Sequence, residues 1–131
     1  MKNKNILNPA LISRIASIGH TQYFVICDAG LPVPKGAEVI DLSLVSGVPS
    51  FMQVMKAVLG ELVIESATIA DEIEDHNAVL YKEITDTLGA YPVHRCSHEK
   101  FKKMCEDAHT IVRTGETSPY ANIILVAGVN F

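Results

Sequence analysis

Residues 23–28 have the sequence YFVICD, a short and continuous apolar run that ends in a carboxylate. A run of this length, rich in β-branched and aromatic residues, is typical of a strand buried on both faces of a sheet. A helix is predicted before it, over residues 9–18, because Asn8 is a good N-cap, Pro9 suits the first helical position and apolar residues recur at helical spacing. A helix followed by a buried strand predicts an α/β fold.

Strands and short helices alternate along the rest of the chain. The local patterns predict strands over residues 38–44, 61–70, 92–96, 110–113 and 121–126, and helices over residues 49–58, 78–88 and 98–107. The helix starts are marked by Pro49 and by Ser97, which is a good N-cap. Neither a repeat nor a low-complexity tract interrupts this alternation. We therefore expect a single layered α/β domain over residues 1–131.

The composition favours a globular protein that binds a small molecule. Of the 131 residues 48% are hydrophobic, which is enough to bury an ordinary core. The net charge of -4 argues against a nucleic-acid partner, because phosphate binding needs clustered Lys and Arg side chains. Apolar stretches are shorter than the roughly 20 residues of a membrane span, and Pro9 and Arg14 interrupt any export signal. We expect neither a membrane span nor secretion.

The cysteines and histidines lack the spacing of a metal site. Cys27, Cys96 and Cys105 are odd in number and far apart, which indicates free thiols in a reducing cytoplasm. Three histidines also share no metal-ligand spacing and are interpreted as surface or structural residues: His76, His94 and His109. The glycines do not form a phosphate-binding loop. We therefore expect neither a metal nor a cofactor.

Two polar residues flank the first predicted strand. His20 follows a helix end, where the carbonyl groups favour a cation and suit a proton donor, although a His after Gly19 is also a common surface cap. Asp28 ends the strand, and ligands of α/β sheets commonly bind at the carboxyl ends of strands. Its alternative role is to cap the following turn.

His98 and Lys102 are predicted to lie on one face of the last helix, four residues apart. A neutral imidazole in the first turn could accept a hydrogen bond from a hydroxyl group, and the lysine could donate one to the same ligand. The alternative for Lys102 is a solvated side chain on an exposed face.

The segment RTGETSPYAN at 113–122 precedes a final apolar strand. Gly115 and Pro119 indicate a turn, after which Tyr120 and Asn122 enter an extended run whose alternate side chains point the same way. We expect both side chains to face one pocket, to which the backbone of Ala121 could add a hydrogen bond. The alternative is a turn packed onto the strand. Glu116 is a further candidate, or a solvated carboxylate.

Four ordered motifs carry a resemblance to a known family. They read GHT at 19–21, CDAGLPVP at 27–34, GVPSFMQV at 47–54 and RTGETSPYAN at 113–122. By these motifs residues 7–131 resemble the ribose pyranase and fucose mutarotase family. The resemblance implies a three-layer α/β/α fold with a mixed sheet, in subunits that form pentameric rings stacked as a decamer. Family members often carry Asp in place of Gln22, and residues 75–95 match only loosely.

The resemblance also implies the site residues and the reaction. The family's proton donor corresponds to His20, and its sugar-binding residues correspond to Asp28, His98, Tyr120 and Asn122, with Ala121 in the same loop and Lys102 as a further contact. The implied enzyme is an intramolecular isomerase that interconverts β-D-ribopyranose and β-D-ribofuranose, the form that a ribokinase would phosphorylate. Ring opening needs one proton removed from the anomeric hydroxyl and one delivered to the ring oxygen. His20 would be the acid, and Asp28 would orient it or hold a hydroxyl.

Two other functions remain open from the sequence. One is a fucose-type mutarotase, which exchanges anomers without changing ring size, although the DAGLP motif at 28–32 fits the pyranase branch better. The other is a non-catalytic ribose-binding accessory of a transporter or kinase. The sequence also leaves open whether His20 meets the terminal loop within one subunit or across a ring interface.

Overall fold

The computed structural model describes residues 1–131, which form six strands and five α-helices. The elements are α1 (Pro9–Ser17), β1 (Tyr23–Cys27), β2 (Val39–Asp41), α2 (Phe51–Leu59), β3 (Ile64–Ala70), α3 (Ile73–His76), α4 (Ala78–Leu88), β4 (Val93–Cys96), α5 (His98–Met104), a 3-10 turn (Cys105–Asp107), β5 (Ala108–Arg113) and β6 (Ile123–Ala127). All six predicted strands and the four predicted helices are present.

The six strands form one mixed sheet in the order β2-β5-β1-β6-β3-β4. β1 runs parallel to β5, β2 parallel to β5, and β3 parallel to β4. β6 lies antiparallel between β1 and β3, with Leu125 opposite both Phe24 and Ala67. The mixed sheet expected from the family resemblance is therefore confirmed.

Helices cover both faces of this sheet. Successive side chains of each strand point to opposite faces, so each strand contributes to both layers of the core. On one face Phe24 and Ile26 of β1 pack with residues of α1, α2 and α4 in a cluster of 21 buried side chains. On the other face Val25 and Cys27 pack with Phe101 of α5 in a smaller cluster of 7. The predicted three-layer α/β/α architecture is confirmed.

The helix starts follow the capping residues of the sequence. Asn8 caps α1 by accepting from the N–H of Leu11 at 3.0 Å, and Ser97 caps α5. α2 begins at Phe51 and not at Pro49, because Ser50 and Gln53 form a capping box. The single turn α3 was not predicted. None of the helices is both long and apolar enough to cross a membrane.

Candidate functional site

Two adjoining hollows open at the carboxyl end of β1. One, of about 290 Å³, is lined by Asp28, Gly30, Leu31, Pro32, His98, Pro119 and Tyr120. The other, of about 390 Å³, is lined by Asp28, Ala29, Gly30, Glu116, Thr117, Ser118 and Pro119. We call them together the Asp28 cleft. The fold thus brings three predicted site residues into one cleft: Asp28, His98 and Tyr120.

Asp28 is held in place by the backbone and by Asn122. Its N–H donates to Oδ1 of Asn122 at 2.9 Å, and its own Oδ1 accepts from the N–H of Gly30 at 2.9 Å. The carboxylate therefore caps the turn, as the alternative reading of the sequence predicted, and also lines the cleft. Asn122 thus restrains the backbone of Asp28, and the N–H of Gly30 restrains its carboxylate.

The ring of Tyr120 lies between two imidazoles. Its centroid is 5.1 Å from that of His98 in an edge-on arrangement and 5.5 Å from that of His76 in a tilted one. The backbone of Tyr120 has a φ of 56°, so this residue lies in a left-handed turn and not in an extended strand. His76, which the sequence indicated only as surface or structural, is exposed but contributes to the surroundings of Tyr120.

Asn122 does not share a pocket wall with Tyr120 as the extended run predicted. β6 begins only at Ile123, and both Ala121 and Asn122 are fully buried. Oδ1 of Asn122 binds the N–H of Asp28, while its Nδ2 is buried without a partner in the protein. Asn122 therefore supports the cleft from beneath and retains an unused donor.

One ring nitrogen of His98 has no hydrogen-bond partner in the protein. Its backbone N–H, at the start of α5, donates to both carboxylate oxygens of Glu72 at 3.0 and 3.1 Å. Nδ1 of the ring is buried, and its capacity to form a hydrogen bond is unused within the protein. Lys102 pairs with Glu99 at 2.8 Å and is not among the residues that line the cleft.

Glu116 fixes the loop that carries Tyr120. Oε1 accepts from the N–H of Phe51 at 2.9 Å, and Oε2 accepts from the hydroxyl of Ser118 at 2.8 Å. Burial raises the pKa of this carboxyl, but the hydrogen bonds from Phe51 and Ser118 outweigh burial and leave the pKa below the ordinary value of 4.5. The carbonyl of Glu116 also accepts from Ala29 at 2.8 Å, which joins this loop to the Asp28 turn.

Gly115 is packed against the turn formed by residues 45–48. Gly47 donates to the carbonyl of Gly115 at 2.7 Å, and Gly115 donates to the carbonyl of Pro49 at 2.8 Å. A Cβ at this position would overlap the carbonyl oxygen of Val48 and lie 2.8 Å from that of Val45. The two loops can approach this closely only because residue 115 has no side chain.

His20 lies elsewhere, in a second cleft of about 290 Å³ that it lines together with apolar residues, among them Ile15, Ile18, Leu62 and Val129. Its Nε2 is 2.8 Å from Oε2 of Glu65, a residue that the sequence did not indicate. Half of the imidazole and 46% of the carboxylate side chain are exposed. Gln22 closes the turn by accepting from the N–H of Gly19 at 2.7 Å. In this chain His20 does not line the Asp28 cleft.

The cysteines do not form a nucleophilic centre. Burial, followed by the nearby Asp28 carboxylate, raises the pKa of Cys27 to about 12, and burial raises the pKa of Cys105 to about 12. Thiols with such values are unreactive at neutral pH, because the thiolate is the nucleophile. No group of three or more His, Cys, Asp or Glu side chains is placed to hold a metal ion.

This architecture and these motifs match a known family over nearly the whole chain. Residues 1–130 match the RbsD / FucU transport protein family. The chain belongs to this family. The family resemblance of the four sequence motifs is thereby confirmed.

Named relatives of the family cover the entire chain. The D-ribose pyranase of Geobacillus kaustophilus is 50% identical over 131 residues, which are 100% of this chain and 96% of that protein. The D-ribose pyranase of Laribacter hongkongensis is 45% identical, with full coverage of both chains. The similarity therefore extends over the whole length of the chain.

Solved structures give the same result in three dimensions. Bacillus subtilis RbsD complexed with D-ribose superposes with a TM-score of 0.97 at 43% identity, and covers 100% of both chains. The fucose mutarotase of Streptococcus pneumoniae in complex with L-fucose superposes with a TM-score of 0.78 at 25% identity and covers 95% of each chain. The chain is therefore more similar to the ribose complex than to the fucose complex.

Proposed function

We propose that this protein interconverts β-D-ribopyranose and β-D-ribofuranose, as a D-ribose pyranase. The observation that carries the proposal is the Asp28 cleft, which holds Asp28, His98 and Tyr120 in a chain that superposes at full length on a ribose complex. A cleft with a carboxylate, an imidazole and a phenol suits a polyol, because each hydroxyl group needs both a donor and an acceptor.

The reaction needs only proton transfers. In ring opening, the anomeric hydroxyl loses a proton to a base, the bond from C1 to the ring oxygen breaks, and that oxygen gains a proton from an acid. Rotation about a carbon–carbon bond then lets a different hydroxyl attack the carbonyl carbon, which changes the ring size. Acid-base help of this kind contributes about 100-fold to 10,000-fold in rate. The proposed chemistry therefore requires neither a metal nor a redox cofactor.

His20 is the proposed acid, and the Asp28 cleft holds the sugar. The Asp28 carboxylate accepts from a hydroxyl, while Tyr120 donates or accepts through its phenol. The unpartnered Nδ1 of His98 and Nδ2 of Asn122 are suited to two further hydroxyls, since a buried polar atom without a partner costs about 1–3 kcal/mol. Lys102 would have to leave Glu99 to reach the ligand.

We further propose that the site is completed between subunits of pentameric rings, stacked as a decamer. His20 and Asp28 line different clefts of one subunit. Exposed apolar side chains lie in the His20 cleft and in a hollow that adjoins the Asp28 cleft at Ala29 and Thr117. Leu44, Val45 and Val48 are 76%, 61% and 46% exposed beside the Gly115 loop, and Val63 is 43% exposed near His20. Apolar groups grouped in this way mark contact surfaces.

Complementation would test the shared site. His20→Ala and Asp28→Asn should each abolish exchange, whereas a mixture reassembled from both should recover roughly a quarter of the sites, since each half-site is intact in half of the subunits. A verified monomer that retains activity, or a mixture that stays inactive after reassembly, would contradict the shared site.

Saturation-transfer NMR on ribose and on fucose would test the function itself. Pyranose-to-furanose exchange of ribose supports the proposal. Anomer exchange of L-fucose without a change of ring size would instead support a mutarotase, the alternative suggested by the fucose complex. Binding of ribose without accelerated exchange would indicate a non-catalytic accessory protein.

The cellular setting is also a proposal. The three free thiols fit a reducing cytoplasm, where furanose released by this enzyme would supply a ribokinase. The whole of residues 1–131 is proposed to act as one domain, since both buried clusters share the same sheet.

A further inference from the structure

We infer that Glu65 is the positioning residue of His20 and that Nδ1 of His20 is the nitrogen that exchanges a proton with the sugar. The inference rests on the function proposed above. Nε2 of His20 lies 2.8 Å from Oε2 of Glu65, which is hydrogen-bond distance. An ionised carboxylate can only accept, so Nε2 must carry a hydrogen and Nδ1 is left for the ligand.

A β-bulge places Glu65 beside His20. β3 and β6 pair at Ile64 with Ala127 and next at Ser66 with Val126, so β3 advances two residues where β6 advances one. Glu65 is the extra residue of that step. A bulge bends its strand and redirects a side chain, and bulges are frequent next to active sites. The carboxylate therefore reaches His20 through a specific irregularity of the sheet.

Ala127 joins the His20 turn to this bulge. Its carbonyl accepts from the N–H of Thr21 at 2.9 Å, and its N–H donates to the carbonyl of Gln22 at 3.0 Å. The same residue pairs with Ile64 at the start of the bulge. The backbone next to His20 and the backbone next to Glu65 are therefore both held by Ala127 of β6. The sheet thus sets the distance between the two side chains.

The turn that carries His20 contains a residue in an unfavourable backbone conformation. Thr21 has a φ of 70°, a region that is unfavourable for a β-branched residue. Such strain costs about 1–3 kcal/mol, and it persists where surrounding bonds over-determine the conformation, typically at functional sites. Here the bonds to Ala127 and the bond from Gly19 to Gln22 do so. The strained turn holds the imidazole at the mouth of its cleft.

In the proposed reaction Glu65 acts through His20 and does not touch the sugar. With the Nε2–H group tied to the carboxylate, the ring cannot rotate freely. Nδ1 first takes up a proton from solvent to give the imidazolium, and this Nδ1–H then stays directed at the ring oxygen and passes its proton to it while the bond from C1 breaks. Orientation of an acid contributes to the chemical step and little to substrate binding. Loss of the carboxylate should therefore lower kcat by about 10-fold to 100-fold with KM for ribose changed less than about 2-fold.

The variant Glu65→Gln tests this by saturation-transfer NMR, with Glu106→Gln as the control, since Glu106 is an exposed carboxylate in the 3-10 turn. The control should retain wild-type exchange. Wild-type kcat in the Glu65 variant would overturn the inference, and so would a rise of about 10-fold or more in KM for ribose with kcat unchanged, because a positioning residue acts on the chemical step. Should Glu65→Gln not fold, Glu65→Asp withdraws the carboxylate by one CH₂ group and is expected to show the same loss of kcat.

A second measurement does not depend on activity. Long-range ¹H–¹⁵N spectra of the unliganded wild type at about pH 8, where histidine is normally neutral, should show His20 with hydrogen on Nε2 and a bare Nδ1. Glu65→Gln should mix the two neutral forms, since an amide can donate or accept. Hydrogen on Nδ1 in the wild type would overturn the pairing. If the wild type did not accelerate ribose exchange at all, the proposed function would fail while these spectra still decided the pairing.

Discussion

Alanine at position 115 should destabilise the loops beside the Asp28 cleft. Its Cβ would overlap the carbonyl oxygen of Val48 and lie 2.6 Å from the carbonyl carbon of that residue and 2.8 Å from the oxygen of Val45. These are backbone atoms, so no side chain can rotate out of the way. The turn at residues 45–48 would have to withdraw by about 1 Å before ordinary contact, which begins near 3.4 Å, is restored.

That withdrawal would break the two hydrogen bonds between the loops, from Gly47 to Gly115 and from Gly115 to Pro49. At about 0.5–1.5 kcal/mol for each bond, the expected loss is about 1–3 kcal/mol, which matches the usual cost of overpacking. A domain of this length loses about 3–6 °C in Tm for each kcal/mol, so Tm should fall by roughly 3–18 °C.

Differential scanning calorimetry would measure this fall, with Gly60→Ala as the matched control. A Cβ on Gly60 would lie 3.4 Å from the carbonyl oxygen of Ala57, and its φ of -69° suits alanine. The control should melt within about 2 °C of the wild type. The reasoning about Gly115 is refuted if its alanine variant melts within that same interval of the wild type. The loops would then accommodate a Cβ at position 115 without a loss of stability.

Three further predictions concern stability and thiol reactivity. Asn122→Ala leaves the N–H of Asp28 without its acceptor and should cost about 1–3 kcal/mol in urea unfolding; an unchanged midpoint and slope would contradict the bond. Folding lowers the pKa of Glu116 below its unfolded value near 4.5. The ionised carboxylate therefore stabilises the fold above that pH, and this stabilisation is lost as the pH falls through the lower pKa of the folded protein. Glu116→Gln should therefore make Tm less dependent on pH in that acidic range, and an equally steep dependence would contradict the assignment. Burial raises the pKa of Cys27 and Cys105 to about 12, and it also raises the pKa of Cys96, which is only partly buried. A thiol reagent at neutral pH should therefore react with Cys96 slowly in the native protein but before the other two, and with all three cysteines in guanidinium; native labelling of Cys27 or Cys105 ahead of Cys96 would contradict their burial.

The elements that could be predicted are those with local physical signals. The apolar run at 23–27 forms β1, and the N-caps Asn8 and Ser97 begin α1 and α5 as expected. Capping and strand burial depend on neighbouring residues only, so the sequence displays them directly. The single turn α3 has too few residues to show a helical period, and it was missed for that reason.

The parts of the site that could not be predicted depend on distant residues. Glu65 reaches His20 across 45 positions, through a bulge that depends on how β3 pairs with β6. Asn122 reaches Asp28 across 94 positions. The predicted common pocket wall of Tyr120 and Asn122 was wrong, because Tyr120 takes a left-handed backbone and the strand starts later. Motif resemblance supplied the residue identities, while pairing across the sheet determines what each one contacts.

The position of β6 has a consequence for how the chain folds as it is synthesised. β6 is the last strand in chain order, yet it lies near the middle of the sheet and joins β2, β5 and β1 to β3 and β4. Until it emerges from the ribosome, the earlier strands can form only two separate partial sheets with open edges on β1 and β3. Unpaired edges of this kind invite pairing with other chains. Nascent chains that stop before residue 123 should therefore depend on chaperones far more than the full chain does.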